Sequence, residues 1–131
     1  MIKKVLFPAL CLLFLSGTAK ADARRVQLTL EAAMKGDAKA QNRLGVFYEI
    51  GASVEQNDEE AVKWFRMAAD QGHGEALFNL GEMYEQGRGV PKNIQEAIAL
   101  YKKSCAAGCK CACKRYRQFT GEDEEAPPVQ F

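Results

Sequence analysis

Beyond residue 37 the small and apolar positions return every four residues: Ala40, Leu44 and Tyr48 in one stretch, Ala76, Leu80 and Tyr84 in another. That spacing lays a single stripe along an α-helix and predicts helices over residues 38–49 and 75–85. A second stripe follows each of them, Ala61, Trp64, Phe65 and Ala68 in the first case and Ala97, Leu100, Tyr101 and Ser104 in the second. Asn57 and Asn93 precede these stripes as N-caps, with Glu60 and Glu96 three residues on, placed to reach back to the cap amide. Asp58 and Glu59 add charge that favours a helix start. Gly51 and Gly87 close the first helices, Gly72 and Gly108 the second.

The two halves are one unit written twice. Gly36, Gly72 and Gly108 are 36 residues apart, and in the same register Leu44-Gly45 matches Leu80-Gly81, Tyr48-Glu49 matches Tyr84-Glu85, and Asn57 matches Asn93 without a gap. Gly45 and Gly81 fall mid-helix, where glycine costs about 1 kcal/mol against alanine. Close approach of a neighbouring helix, which a side chain would block, accounts for them. Shifted by the same period, Arg24–Lys35 lays Leu28, Ala32 and Ala33 over Trp64, Ala68 and Ala69, and Lys110–Phe119 lays Ala112 and Tyr116 over Ala76 and Leu80. The expectation is two full repeats between two half repeats, in which the half units cap a stack whose faces are buried only against neighbours.

The pattern A-x3-LG-x2-YE-x-G-x2-V-x2-N-x2-EA resembles the Sel1-like repeats, relatives of the tetratricopeptide repeats. Leu80-Gly81-Glu82-Met83-Tyr84-Glu85-Gln86-Gly87-Arg88-Gly89-Val90 matches closely. The first copy departs at Ser53, where the family has glycine, and at Glu55, which stands where Pro91 does, so a reshaped loop is expected there. The resemblance covers about residues 24–119 and implies an all-α, right-handed solenoid of antiparallel helix pairs used for protein recognition. It further implies that the first helices line a concave face, bearing Asn42, Arg43 and Val46, then Phe78, Asn79 and Glu82, then Lys114, Arg115 and Gln118. Phe78 reads either as an anchor for a partner, since aromatic residues dominate interface energetics, or as packing for the adjacent helix.

Four cysteines fall within nine residues: Cys105, Cys109, Cys111 and Cys113. Cys105 and Cys113 lie on antiparallel neighbours across the Gly108 turn, a placement compatible with the Cα separation of a disulfide. The C-x7-C spacing also resembles the cysteine-rich exported branch of the family, in which such a pair clamps adjacent helices. Cys109 and Cys111, two apart on a helix, are expected to point away from each other and stay unassigned: paired across a dimer, bonded to an oxidase, or free. Four thiols also fit a soft metal ion, but the paired C-x2-C spacing of structural zinc sites is missing.

Composition changes the picture mainly at the ends. Lys3 and Lys4, the apolar run 5–15 and Ala19-Lys20-Ala21 read as an exported leader cleaved after Ala21. At roughly 11 residues the run is short of the ~20 needed to span a bilayer, so no stable membrane insertion is expected after cleavage. Of 18 Lys and Arg, three lie in the leader, leaving 15 against 17 acidic residues. That balance does not suggest a nucleic-acid binder. From residue 120 an acidic, Pro127-Pro128-containing stretch reads as a disordered tail.

A catalytic centre is not visible. His73 is the only histidine and falls in a turn, and the only serines beyond the leader are Ser53 and Ser104. The S-x-x-K, K-T-G and S-D-N motifs of β-lactamases, a label that some cysteine-rich relatives carry, do not occur. Gly87-Arg88-Gly89 lacks the strand and GK[ST] of a phosphate loop. The expectation is therefore a periplasmic or secreted protein without a cofactor that binds another protein as adaptor, regulator or inhibitor, for instance an immunity factor against a secreted effector. The competing classes are a β-lactamase-like enzyme and a metal- or thiol-binding protein.

Overall fold

The computed structural model describes residues 17–122. Six helices follow one another: α1 Gly17–Met34, α2 Ala38–Ile50, α3 Asp58–Asp70, α4 Gly74–Gln86, α5 Ile94–Ala106 and α6 Lys110–Thr120. Among the described residues there is no strand. Each helix packs mainly on its neighbours in the chain. Helices α2–α3 and α4–α5 form the two antiparallel pairs, flanked by α1 and α6, and the whole is an all-α solenoid.

The caps set the helix starts. Asn57 and Asn93 have extended backbone, and their side chains accept from the amides of Glu60 and Glu96 at 3.1 Å. The cap amides themselves do not wait for Glu60 and Glu96. They donate to the carbonyls of Tyr48 and Tyr84 at 2.9 Å and so tie the loop to the preceding helix.

Packing between the members of a pair turns on the mid-helix glycines. A Cβ built on Gly45 would lie 2.5 Å from ring carbons of Phe65, and one on Gly81 would lie 2.7 Å from Tyr101. The two rings are fully buried, and each lies directly on the helix backbone of its partner. The apolar core runs the length of the stack, from Leu44 and Trp64 through Phe65, Leu80 and Met83 to Tyr101 and Tyr116.

Two features depart from expectation. The loop at Ser53 is not reshaped: Ser53 takes φ 60°, the left-handed conformation that Gly89 takes at φ 67°. Glycine is required at 89 for a second reason, because a Cβ there would fall 2.4 Å from the carbonyl oxygen of Asp58 in the preceding unit. Ser53 therefore bears the backbone strain alone. Leu28 is 57% exposed instead of taking the place of Trp64, because α1 packs on α2 and, among the described residues, no other helix covers its far side. Helix α1 also starts at Gly17 and passes unbroken through Ala19-Lys20-Ala21, while residues 1–16, which carry most of the leader expectation, lie outside the described residues. At the other end Gly121 caps α6 and the Tyr116 hydroxyl donates to Glu122 at 3.1 Å; residues 123–131 lie outside the description.

Candidate functional site: the face of the first helices

Side chains from α2, α4 and α6 meet across successive units. The Asn79 amide donates to Asn42 Oδ1 at 2.9 Å, joining α4 to α2. Arg115 of α6 grips Glu85 of α4 through two nitrogens, Nε at 3.0 Å, and Tyr101 of α5 donates to the same carboxylate at 2.5 Å. Arg88, just past α4, reaches back to Asp58 at 2.7 and 3.3 Å and to Glu49 at 3.1 Å. The two arginines thus clamp unit to unit on one side of the stack.

Electrostatics follow from these contacts. Burial pushes the Glu85 carboxyl up, but the hydrogen bonds from Tyr101 and Arg115 outweigh it, and the net direction is below the ordinary carboxylate value. One turn away, Glu82 goes the other way, raised by burial and by Glu49 and Glu85, with Arg115 opposing. Burial and the negative neighbour Glu85 raise the Tyr101 hydroxyl, keeping it a neutral donor. Burial thus works against the charged form of Glu82.

Five of the residues expected on this face do come together. Phe78, Glu82, Lys114, Arg115 and Gln118 line an open depression of about 270 Å³ between α4 and α6. Phe78 is half-buried, its ring 5.5 Å from that of Tyr101, so it packs on one side and lines the depression on the other. Arg43 stands apart, in an open depression of about 370 Å³ with Arg25, Thr29 and Asp37 at the α1 end. Val46 is half-buried against the core. Asn42 is corrected: it is buried, 5% exposed, with its amide oxygen committed to Asn79. In register with the half-buried Phe78 and the exposed Lys114, it is the copy whose short amide meets the neighbouring helix instead of solvent.

The cysteines divide into two pairs. Cys105 and Cys113 are bonded, with Cα atoms 4.6 Å apart, and the bond ties α6 to α5. Cys109 and Cys111 do not point apart: their sulfurs are 2.7 Å from one another. The reason is that Cys109 is the N-cap of α6, with extended backbone, and not a helical residue. The register carries the missed signal, since Asp37, His73 and Cys109 are 36 residues apart and all three are N-caps. His73 is likewise no idle turn residue: its Nδ1 accepts from the Ala76 amide at 3.3 Å. Among the described residues no group of three or more His, Cys, Asp or Glu is placed to hold a metal ion.

Stacked helix pairs with inter-unit clamps and open, partly apolar depressions along one side define a helical-repeat scaffold of the protein-interaction class. The family model of the Sel1 repeat matches residues 38–73 and 74–109, and the chain belongs to the Sel1 repeat family. No curated protein matches the chain. Among solved structures it is similar to a Sel1 repeat protein of Oxalobacter formigenes, with 38% identity and a TM-score of 0.64 over 65% of this chain and 35% of that one. It is also similar to c5321, a protective antigen present in uropathogenic Escherichia coli strains, with 35% identity and a TM-score of 0.71 over 77% of this chain and 22% of that one. Cysteine rich protein B of Helicobacter pylori aligns at 27% identity and a TM-score of 0.66, over 69% of this chain and 68% of that one. The chain therefore spans about a third and about a fifth of the first two relatives.

Proposed function

We propose that this chain is an exported module that binds one protein partner through the groove between α4 and α6, acting as an adaptor, regulator or inhibitor. The observation that carries this reading is the groove itself. An accessible edge of Phe78 lies beside Glu82, whose carboxyl burial raises above its ordinary value, with exposed Lys114 and Gln118 opposite and Arg115 already held by Glu85. An aromatic anchor surrounded by polar groups is how hot spots are built, and rigid backing by Tyr101 lowers the entropy lost on binding. Export, with residues 1–21 as the cleaved leader, is supported by the leader pattern and by the disulfide, which persists in oxidising compartments. An immunity-type role against a secreted effector is one form this binding takes under the proposal.

Affinity capture on the immobilised exported chain tests it. Phe78→Ala and Lys114→Glu, each checked for unchanged helicity, are expected to lose a protein that the wild-type chain and Arg43→Glu retain. Retention of every captured protein by both groove variants would overturn the assignment. Mass spectrometry of the exported chain is expected to find Asp22 at the N-terminus.

A further inference from the structure

The groove runs on past Phe78 into an open depression of about 620 Å³ that Cys109 and Cys111 line together with His73 and Asn79. Cys111 is exposed and Cys109 partly so, whereas Cys105 of the existing disulfide is buried. Asp37, Asn57, His73 and Asn93 all use the cap side chain to satisfy a helix-start amide, but the Cys109 sulfur makes no such bond and is turned onto Cys111. The first turn of α6 carries no acidic residue, Lys110 stands between the two cysteines in sequence, and Glu75 lines the same depression.

We infer that Cys109 and Cys111 form a redox-active dithiol that closes reversibly into a second, accessible disulfide by exchange with small-molecule or protein disulfides. The Cys109 thiolate attacks one sulfur of the incoming disulfide, whose S–S bond breaks and whose other half leaves as a thiolate. Cys111 gives up its proton to the departing thiolate and attacks the Cys109 sulfur of the mixed disulfide, releasing the second thiolate. Two protein thiols are oxidised and one external disulfide is reduced to two thiols; a dithiol runs the exchange backwards. The division of labour follows from position. Burial raises the Cys109 thiol, but the hydrogen bond with Cys111 leads the contributions that outweigh it, so Cys109 is the lowered member. Burial and then the charge on Cys109 raise Cys111, which suits the resolving role. This inference does not depend on the proposed partner-binding function.

The test is alkylation and mass mapping of the full chain equilibrated with glutathione buffers of graded oxidation. The expected result is an internal Cys109–Cys111 bond that opens at a less reducing ratio than Cys105–Cys113. In Cys111→Ser a stable glutathione adduct is expected on Cys109, while in Cys109→Ser the thiol of Cys111 reacts about tenfold more slowly than Cys109 does in Cys111→Ser. The inference is overturned if both thiols stay alkylatable under oxidised glutathione, if each retains its own adduct in the wild-type chain, if the two disulfides open together, or if Cys111 is the faster thiol.

Discussion

Substituting Gly45 by alanine tests how the pairs are built. The added methyl falls 2.5 Å from both Cδ1 and Cε1 of Phe65, about an ångström inside the 3.5–4.0 Å at which carbon atoms pack best. Phe65 is 0% exposed, so its ring has no room to swing aside. At an open helix position the change would stabilise by about 1 kcal/mol through helix propensity. Overpacking a closed core costs about 1–3 kcal/mol, and two simultaneous contacts this short put Gly45 at or above the upper end of that range. The expected net result is a loss of about 2 kcal/mol, with Gly81→Ala slightly milder because its nearest contact is 2.7 Å. Urea unfolding followed by circular dichroism and by the fluorescence of Trp64, the only tryptophan, measures it. In a Phe65→Leu background the cost of Gly45→Ala should shrink, a coupling of about 1–2 kcal/mol between two residues in contact. Stabilisation by Gly45→Ala in the wild-type background, or strict additivity with Phe65→Leu, would refute helix-on-ring packing as the reason for the glycine.

Other perturbations follow from the same contacts. Arg88→Gln removes a partly exposed clamp on Asp58 and Glu49 and should cost about 0.5–1 kcal/mol, less at high salt, as read from melts across ionic strength. Glu85 is lowered in the fold by hydrogen bonds that outweigh its burial. It therefore contributes stability above the ordinary glutamate value of about 4.3, lost as pH falls through its lower folded value, and the deficit of Glu85→Gln at neutral pH should narrow over that acid range in pH-dependent denaturation. Glu82 is raised, so its penalty is present at neutral pH and relieved on acidification: Glu82→Gln should stabilise at pH 7 and lose that advantage below about pH 4. In a Cys109→Ser/Cys111→Ser background, reducing the Cys105–Cys113 bond, which spans a separation of 8 residues, should lower unfolding stability by about 2–3 kcal/mol in urea titrations.

What the sequence made legible is what repeats. Small, aromatic and turn residues in one 36-residue register located the helix pairs, the Asn57 and Asn93 caps and the close approach at Gly45 and Gly81, because each serves contacts made again in every unit. Contacts that cross from one unit to the next are made by residues that differ between copies, and there the register is silent. Position 42 is Asn where its equivalents are Phe78 and Lys114, and only the neighbouring Asn79 decides that it is buried. The Arg88 clamp was missed for the same reason: its equivalent is Ala52, and neither Asp58 nor Glu49 announces a partner 30 or 39 residues away. The Cys109–Cys111 contact was within reach. Extending the register to Asp37 and His73 places Cys109 at a cap, and a cap residue does not obey the angular spacing of a helix.

The central claim is that the side built from the first helices, and not a reactive group or the opposite side, does the binding. It is tested most directly by isothermal titration of a captured partner against groove variants Phe78→Ala and Lys114→Glu and against Lys63→Glu and Arg66→Glu, two exposed positions on α3. The account predicts that each groove variant weakens Kd by about tenfold or more, roughly 1.4 kcal/mol, while the α3 variants leave it within about twofold. Weakening by the α3 variants with an unchanged Kd in both groove variants would contradict it.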